Sequence, residues 1–468
     1  MKPYTENKES GIEWLGEVPK QWNIKRLRFL SKINPSKAEV GKLPGDFKVA
    51  FVPMESIMEY GGIKQEEERL LSDVYNGYSY FREGDVIVAK ITPCFENGKG
   101  TLCENFKNYI GFGTTELHVI RTNDLLDSKF FFYLSVSMPF RKIGEANMYG
   151  AAGQKRVPEE FIKNFRVPYP SMKEQKSIAH FLDRETSRID KLIEKKQKQI
   201  ELLQEKRSAL ISHVVTKGLD PNVKMKDSGI EWLGEVPEHW NVKKLKFIAE
   251  VKSSNVDKNS KQDELPVRLC NYTDVYYRDI ISNEIDFMSA TATENEIRRF
   301  IIKHGDVLIT KDSENWNDIA IPAYVDEKFS DVLCGYHLAQ ITPKEDEING
   351  KYLFYSFLSN GINDQFRIAS NGITRYGLGK YWLDNGLFLL PSLNEQRSIV
   401  SFLDQQTSRI DYLINQIRRS IEKLIEYRVS LISAAVTGKI DVRDEVSETY
   451  TDEHVNKIAA ESVEDYNN

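Results

Sequence analysis

Cysteine, histidine and long apolar runs are all scarce in this chain, and each shortage closes off a class of function. Cys94, Cys103, Cys270 and Cys334 are scattered through 468 residues without the close pairing of a zinc site or a disulfide framework. They are expected to be reduced thiols of a cytoplasmic protein. The most apolar stretches, such as residues 129–138, fall far short of the roughly 20 residues of a membrane span. No basic segment followed by an apolar run opens the chain, so export is not expected. Seven histidines are dispersed, none beside a cysteine or another histidine at ligand spacing, and no metal site is expected. Catalytic signatures are missing as well. There is no G-x-x-x-x-G-K-[ST] phosphate loop, no H-E-x-x-H and no [ND]-P-P-[FYW]; the nearest string, VPYP at Val167, lacks the polar first residue. These absences point to a recognition protein that binds no cofactor and performs no chemistry of its own.

Nor is positive charge in excess: 64 basic residues face 70 acidic ones, a net charge of -6. That deficit has a location. Residues 439–468 hold nine acidic and three basic side chains, the same -6, so residues 1–438 are balanced. A neutral body can still present local basic faces to phosphate. The acidic tail is expected to be partly disordered.

What the chain has in abundance is repetition. SGIEWLGEVP occurs at Ser10 and again at Ser228, and residues 10–30 match 228–248 at 15 of 21 positions. EQKSIAHFLDRETSRIDKLI from Glu174 matches EQRSIVSFLDQQTSRIDYLI from Glu395 at 14 of 20, and EKRSALISHVVTKGLD from Glu205 matches EYRVSLISAAVTGKID from Glu426. The chain is therefore two copies of one unit of about 220 residues. Between the matched blocks, residues 31–170 and 249–391 share little beyond islands such as GDVIVAK at Gly84 and GDVLITK at Gly305. Two similarly built heads on a common frame, doing related jobs on different targets, follow from this pattern. His180 and His213 have Ser401 and Ala434 as counterparts, which excludes a role shared by both copies.

Each frame carries a helix seam. Ile189, Ile193, Ile200, Leu203 and Leu210 recur at spacings of three, four or their sum, seven, as do Ile410, Ile414, Ile417, Ile421, Leu424 and Leu431 in the second copy; Lys196 and Arg207 interrupt the first seam, and Arg428 stands in the second where Arg207 stood. Each stretch predicts a helix of roughly 38 residues, about 57 Å long. Alone, either helix would expose its seam, so the two are expected to pack as a coiled coil about a pseudo-twofold axis. The end of the second helix, AVTGKIDVRDEV, is then expected near the first SGIEWLGEVP. That repeated motif is expected to dock each head on its helix, with Trp14 and Trp232 as apolar anchors.

The heads read as strand-rich segments followed by a short helix: KVAFVP, DVIVAKI and ELHVI before SKFFFYLSVSM, and DVLITK, IAIPAYV and HLAQITP before KYLFYSFLSN. Each is an α+β domain of about 150 residues. The loop after each GDV strand is polar and basic, AKITPCFENGKGT from Ala89 and TKDSENWNDIA from Thr310; a second such loop precedes the frame, GAAGQKRVPEE from Gly150 and SNGITRYGLGK from Ser370. Asn, Gln, Arg and Lys are the side chains that read base edges, and Lys and Arg also neutralise phosphate. The candidates for DNA contact are Lys90, Thr92, Asn97, Lys99, Gln154, Lys155 and Arg156 in the first head. In the second they are Lys311, Ser313, Asn315, Asn317, Arg375, Tyr376 and Lys380.

The order SGIEWLGEVPxxW, a variable head containing GDV, PxxxEQxxIxxFLDxxTxRID, a long helix and a closing LISAAVTGKIDVR resembles the specificity subunit of Type I restriction-modification systems. The resemblance covers both halves and nearly the whole chain except the acidic tail. It implies an α+β fold with two target-recognition domains separated by two long antiparallel coiled-coil helices, an internal duplication with pseudo-twofold symmetry. The implied division is 1–172 for the first target-recognition domain with its docking motif, 173–226 for the first long helix and linker, 227–393 for the second such domain, 394–438 for the second long helix, and 439–468 for the tail. Each head would bind one half of a bipartite double-stranded DNA site, and the helices would set the gap. Two methyltransferase subunits, carrying S-adenosylmethionine, would join the frame, and through them restriction subunits that use ATP and Mg. Departures exist: DSENWND stands where the first head has PCFENGK, so contact roles do not transfer between heads. The competing readings are a system whose modification and cleavage activities share one partner polypeptide, a coiled-coil protein scaffold that never touches DNA, and an autonomous nuclease or methylase.

Overall fold

In the computed structural model of this chain, residues 2–64, 67–151 and 153–443 are described. The expected disorder of the acidic tail falls, beyond residue 443, outside the described residues. The apolar seams become two long helices, Met172–Lys217 and Leu393–Val436, of 46 and 44 residues. Both begin after a Pro-Ser pair: the hydroxyls of Ser171 and Ser392 each accept from the backbone N–H three residues on, at 3.3 Å. Both end at a glycine in the left-handed region, Gly218 at φ +79° and Gly438 at φ +72°, where a side chain would be strained.

The chain folds into two compact units that cut across the order of the repeats. Among the described residues, one comprises residues 2–196 with 416–443, the other residues 197–415. Each unit thus holds one head, the first part of that head's own long helix and the last part of the other. The reason is burial. In the first unit Ile178, Leu182 and Ile189 share a core with Leu424, Leu431 and Val436 and with the head's Phe130, Phe131 and Phe140. In the second, Ile399 and Leu403 join Ile211, Val214 and Val215 under Tyr352, Phe357 and Phe366.

Within each unit the two helix segments run antiparallel. In the first, Glu174 accepts from the Tyr4 hydroxyl, over whose ring Arg443 lies, while Asp190 farther along pairs with Arg428. In the second, Gly218 sits against Glu395, while Arg207 pairs with Asp411. The seam is not evenly buried. Ile189, Ile410, Ile414, Leu424 and Leu431 are enclosed, whereas Ile193, Ile200, Leu203, Leu210, Ile417 and Ile421 are only half-buried. Partial burial also pushes the Lys196 ammonium below its ordinary value.

The repeated letters of the frame are largely spent on seating each head. In EQxxIxxFLDxxTxRID, Glu174 accepts from the buried Trp22 Nε1 at 3.0 Å, and Glu395 accepts from Trp240 Nε1 at the same distance. Gln175 accepts from Asp127 N, and Gln396 from Asn349 N, both at 2.8 Å, at the start of the head helices Ser128–Val136 and Gly350–Leu358. Asp183 takes Lys129 and the Tyr133 hydroxyl, the latter at 2.7 Å; Asp404 takes Lys351 and the Tyr355 hydroxyl, again at 2.7 Å. Thr186 and Thr407 stand beside the same two tyrosines.

This corrects the expected role of Trp14 and Trp232. Trp14 is half-buried, stacked on Phe165, and Trp232 is 42% exposed. The enclosed residues of the motif are Leu15, Val18, Leu233 and Val236, and the deep indoles are Trp22 and Trp240 beyond it. The turn Gly11–Leu15 lies at the rim of the core, where Trp14 packs only partly against Phe165 while Leu15 and the following Val18 point in. The helix ends do approach the motif. Lys439 donates to the Glu17 carbonyl at 2.8 Å, and Lys217 donates to the equivalent Glu235 carbonyl. The same bond forms although the sequences read TGK and TKG.

In the first head, strands Glu67–Leu70, Lys48–Val52, Ile110–Gly113 and Ser79–Arg82 form one sheet, and Ser31–Ile33, Leu117–Thr122, Val86–Ala89 and Gly100–Leu102 another. In the second, a five-stranded sheet orders Ala249–Ser253, Leu338–Pro343, Val307–Thr310, Pro322–Val325 and Ile280–Ile281. A three-stranded sheet there joins Met288–Ala292, Leu265–Cys270 and Val332–Cys334.

Candidate nucleic-acid interface

The GDV islands are turns that aim a strand. Gly84 and Gly305 take φ of +84° and +93°, which only glycine adopts without strain. Asp85 then accepts from Arg82 N and takes the Arg121 guanidinium on both oxygens, at 2.7 and 2.8 Å. Asp306 accepts from Lys303 N and Gln340 Nε2, and its burial pushes the carboxyl above its ordinary value. The strands so anchored, Val86–Ala89 and Val307–Thr310, lie buried along their length and deliver the candidate loops at their far ends.

There the two candidate loops of each head are stitched together. Val157 N donates to the Lys90 carbonyl at 2.8 Å, and at the equivalent place Leu378 N donates to the Lys311 carbonyl at 2.8 Å. Thr92 N donates to Lys155 O in the first head, while Asp312–Ser313 pairs with Tyr376–Gly377 as a short ladder in the second. A third segment joins in both: Lys90 N donates to Glu116 O, and Lys311 N to His337 O. Loops about 60 residues apart in sequence thus form one edge at the same place in each head.

The candidate side chains separate into two groups on this edge. Several cations are occupied within the head. The Lys99 ammonium donates to the Met54 carbonyl at 3.0 Å; Arg156 holds Glu116 through two bonds of 2.9 Å; Lys380 pairs with Asp384; Lys311 pairs with Asp312. The Arg156 guanidinium keeps the Glu116 carboxyl below the usual range. Thr92 donates to Glu96, Lys90 and Tyr376 are half-buried, and Ser313 is buried, accepting from Tyr272. Asn97, Gln154, Lys155, Asn315, Asn317 and Arg375 face solvent. Arg375 also lies 3.1 Å from His337 Nε2, and His337 Nδ1 lies 3.2 Å from Asp312.

Sequence reasoning missed His337, Tyr336 and Trp316, all on this edge of the second head, and Tyr149 on that of the first. Tyr149 and Tyr336 are more than half exposed and Trp316 nearly so. Glu116 and His337 were findable: they are counterparts in the duplication, each standing just before a strand. Among the described residues no cluster of His, Cys, Asp and Glu could hold a metal ion, and no helix is long and apolar enough to cross a membrane. Cys103, Cys270 and Cys334 are buried, which raises their thiols above the ordinary value.

Comparison with known proteins bears on this arrangement. The sequence profile of the Type I restriction modification DNA specificity domain matches twice, over residues 41–202 and 237–423. The EcoAI specificity subunit of Escherichia coli is 41% identical over 164 residues, which span 35% of this chain and 27% of that protein. The chain thus aligns with only about a quarter of that relative. The MjaVIII specificity subunit of Methanocaldococcus jannaschii is 25% identical over 71% of this chain and 74% of its own length. In fold, a chain from a type I restriction-modification system solved for its complex assembly and conformational transition superposes with a TM-score of 0.70 at 17% identity. The match covers 90% of this chain and 99% of that one. The HsdS subunit from Thermoanaerobacter tengcongensis gives 0.51 at 17% identity, over 90% and 98%. Two matches of one profile, falling on the two heads with the long helices that carry them, make this chain a member of the Type I restriction-modification DNA specificity family.

Proposed function

We propose that each head reads one half of a two-part double-stranded DNA sequence, and that the long helices hold the halves at a fixed gap. The observation that carries this reading is the stitched edge. Two polar loops meet at the same place in both heads, held by the same Val157–Lys90 and Leu378–Lys311 backbone bonds, yet they display different side chains. A common mount with different contents is what two half-sites require. Asn97, Gln154 and Lys155, and Asn315, Asn317 and Arg375, are the groups with reach to base edges and phosphates. Tyr149, Trp316 and Tyr336 add apolar surface of the kind that meets thymine methyls.

Chemistry belongs to partners in this reading. The chain recruits two methyltransferase subunits that bind S-adenosylmethionine, and restriction subunits using ATP and Mg through them, in the cytoplasm. The test is to map methylated adenines in DNA from cells expressing this chain with its modification subunit, against that subunit alone. A two-part motif with a fixed gap, present only with this chain, is the expected result. No added methylation beside an active partner would favour a protein scaffold that does not touch DNA.

A further inference from the structure

We infer that Arg428 and Arg207 are positioning residues that work crosswise: each lies on the long helix of one copy and fixes the reading edge of the head belonging to the other copy. The two arginines are counterparts in the duplication, and each interrupts the apolar seam at the same place. Each forms an ion pair with the opposing helix within its unit, Arg428 donating from Nη2 to Asp190 at 3.5 Å and Arg207 from Nε to Asp411 at 3.3 Å. Arg428 Nε lies 3.0 Å from Asp190, and Arg207 Nε lies 3.1 Å from Asp411, the counterpart aspartate. Each also reaches into a head. Arg428 Nη2 donates to the Tyr60 carbonyl at 3.3 Å, and Arg207 Nη2 donates to the Asp279 carboxylate.

The segments they touch are straps on which the reading loops rest. In the first head the strap turns at Tyr60, Gly61 and Gly62, with φ of +58°, +111° and +96°. A side chain at Gly61 would meet the Phe132 ring at 2.5 Å, so the strap approaches the head helix as closely as glycine allows. Tyr60 N then donates to Gly98 O at 3.0 Å, Glu59 bridges Lys99, and Gly62 N donates to Thr101. Gly98 and Lys99 belong to the loop that presents Asn97.

In the second head the strap is the short helix Tyr272–Tyr276 and the turn to Asp279. Tyr272 donates to Ser313 at 3.2 Å and Tyr276 to Asp318 at 3.3 Å, at the two ends of the loop that presents Asn315 and Asn317. Both chains of contact run helix, arginine, strap, loop, with different residues at the strap and the same residue on the helix. A charge at a helix seam is costly unless its bonds are met; Arg428 Nε and Nη1 are buried without a hydrogen-bond partner among the described residues, which leaves the Nη2 bonds to Tyr60 and Asp190 to hold the guanidinium.

The experiment is hydrogen exchange on the full-length chain with Arg428→Ala and Arg207→Ala. Arg428→Ala should speed exchange of amides at 58–62 and 98–101 about ten-fold while leaving 272–279 and 312–318 unchanged, and Arg207→Ala should do the reverse. Arg428→Lys, which keeps the charge beside Asp190, should restore part of the protection. Equal change in both heads, or none at the loops, overturns the inference, and neither outcome depends on DNA.

The DNA consequence rests on the reading of the heads proposed above. Arg428→Ala should relax the same half of the methylated motif that Asn97→Ala relaxes, and Arg207→Ala the half that Asn315→Ala relaxes. Matching the other way round, or relaxation of both halves by one variant, overturns the crosswise assignment. Absence of any two-part motif with the unaltered chain would sink the proposed function and leave the exchange result standing.

Discussion

Glu174 and Glu395 show what a single repeated residue can hide. Each carboxylate accepts from a buried indole, and Glu174 also takes the Tyr4 hydroxyl; burial first, then the Glu174 charge, pushes that phenol far above its ordinary value. Their presence in both copies was plain in the sequence, and their purpose was not, because Trp22 and Tyr4 lie about 150 and 170 residues away. The same distance hid the real anchors. Trp14 and Trp232 stand in the longest repeated word, yet Trp22 and Trp240 carry the packing. Trp240→Ala should therefore cost about 3–5 kcal/mol in chemical denaturation, and Trp232→Ala only about 0.5 kcal/mol. Glu395→Ala, which leaves the Trp240 N–H unmet, should fall between them at about 1–3 kcal/mol. Comparable losses for Trp232 and Trp240 would return the anchor role to the repeated word. The stitched loop edge was half-legible for a similar reason. Residue types in the loops were visible, but the groups that occupy Lys99, Arg156 and Lys380, namely the Met54 carbonyl, Glu116 and Asp384, come from elsewhere or from an unremarked helix turn.

Among secondary-structure elements, the strands and helices followed their periodicities closely. VIVA at 86–89 and VLIT at 307–310 are buried strands, and the head helices form at SKFFFYLSV and GKYLFYSFL. The long helices were legible as amphipathic, but a 3.6-residue period names the apolar face without naming what covers it. That is why the division of each helix between two compact units was not readable, nor the uneven burial along the seam. Ile189 is enclosed beneath the first head's phenylalanines, whereas Ile200 is only half-buried. A graded response follows. Ile189→Ala should cost about 2–5 kcal/mol, and Ile200→Ala, at a half-buried position, about 1 kcal/mol. Equal losses along the seam, measured by urea denaturation, would instead support a coiled coil that is stable by itself.

At the scale of the whole molecule, the two seats offer their heads the same groups. Each head brings its own lysine and tyrosine, four residues apart on its short helix: Lys129 and Tyr133, or Lys351 and Tyr355. Each frame supplies the aspartate and threonine that receive them, Asp183 with Thr186 or Asp404 with Thr407. The frame also supplies the helix arginines, which donate to a carbonyl on one strap and to a carboxylate on the other. A head placed on the other seat should therefore find every bond it needs. Replacing residues 249–391 by residues 31–170 should give a folded chain whose methylation motif, mapped in cells with the modification subunit, holds two copies of one half-site. Arg428 and Arg207 would then both meet a Tyr60-type carbonyl. A motif that retains the original second half would place base reading in the frame and not in the loops. Loss of folding would show that each head is fitted to its own seat, contrary to the matched Asp-Thr and Lys-Tyr pairs.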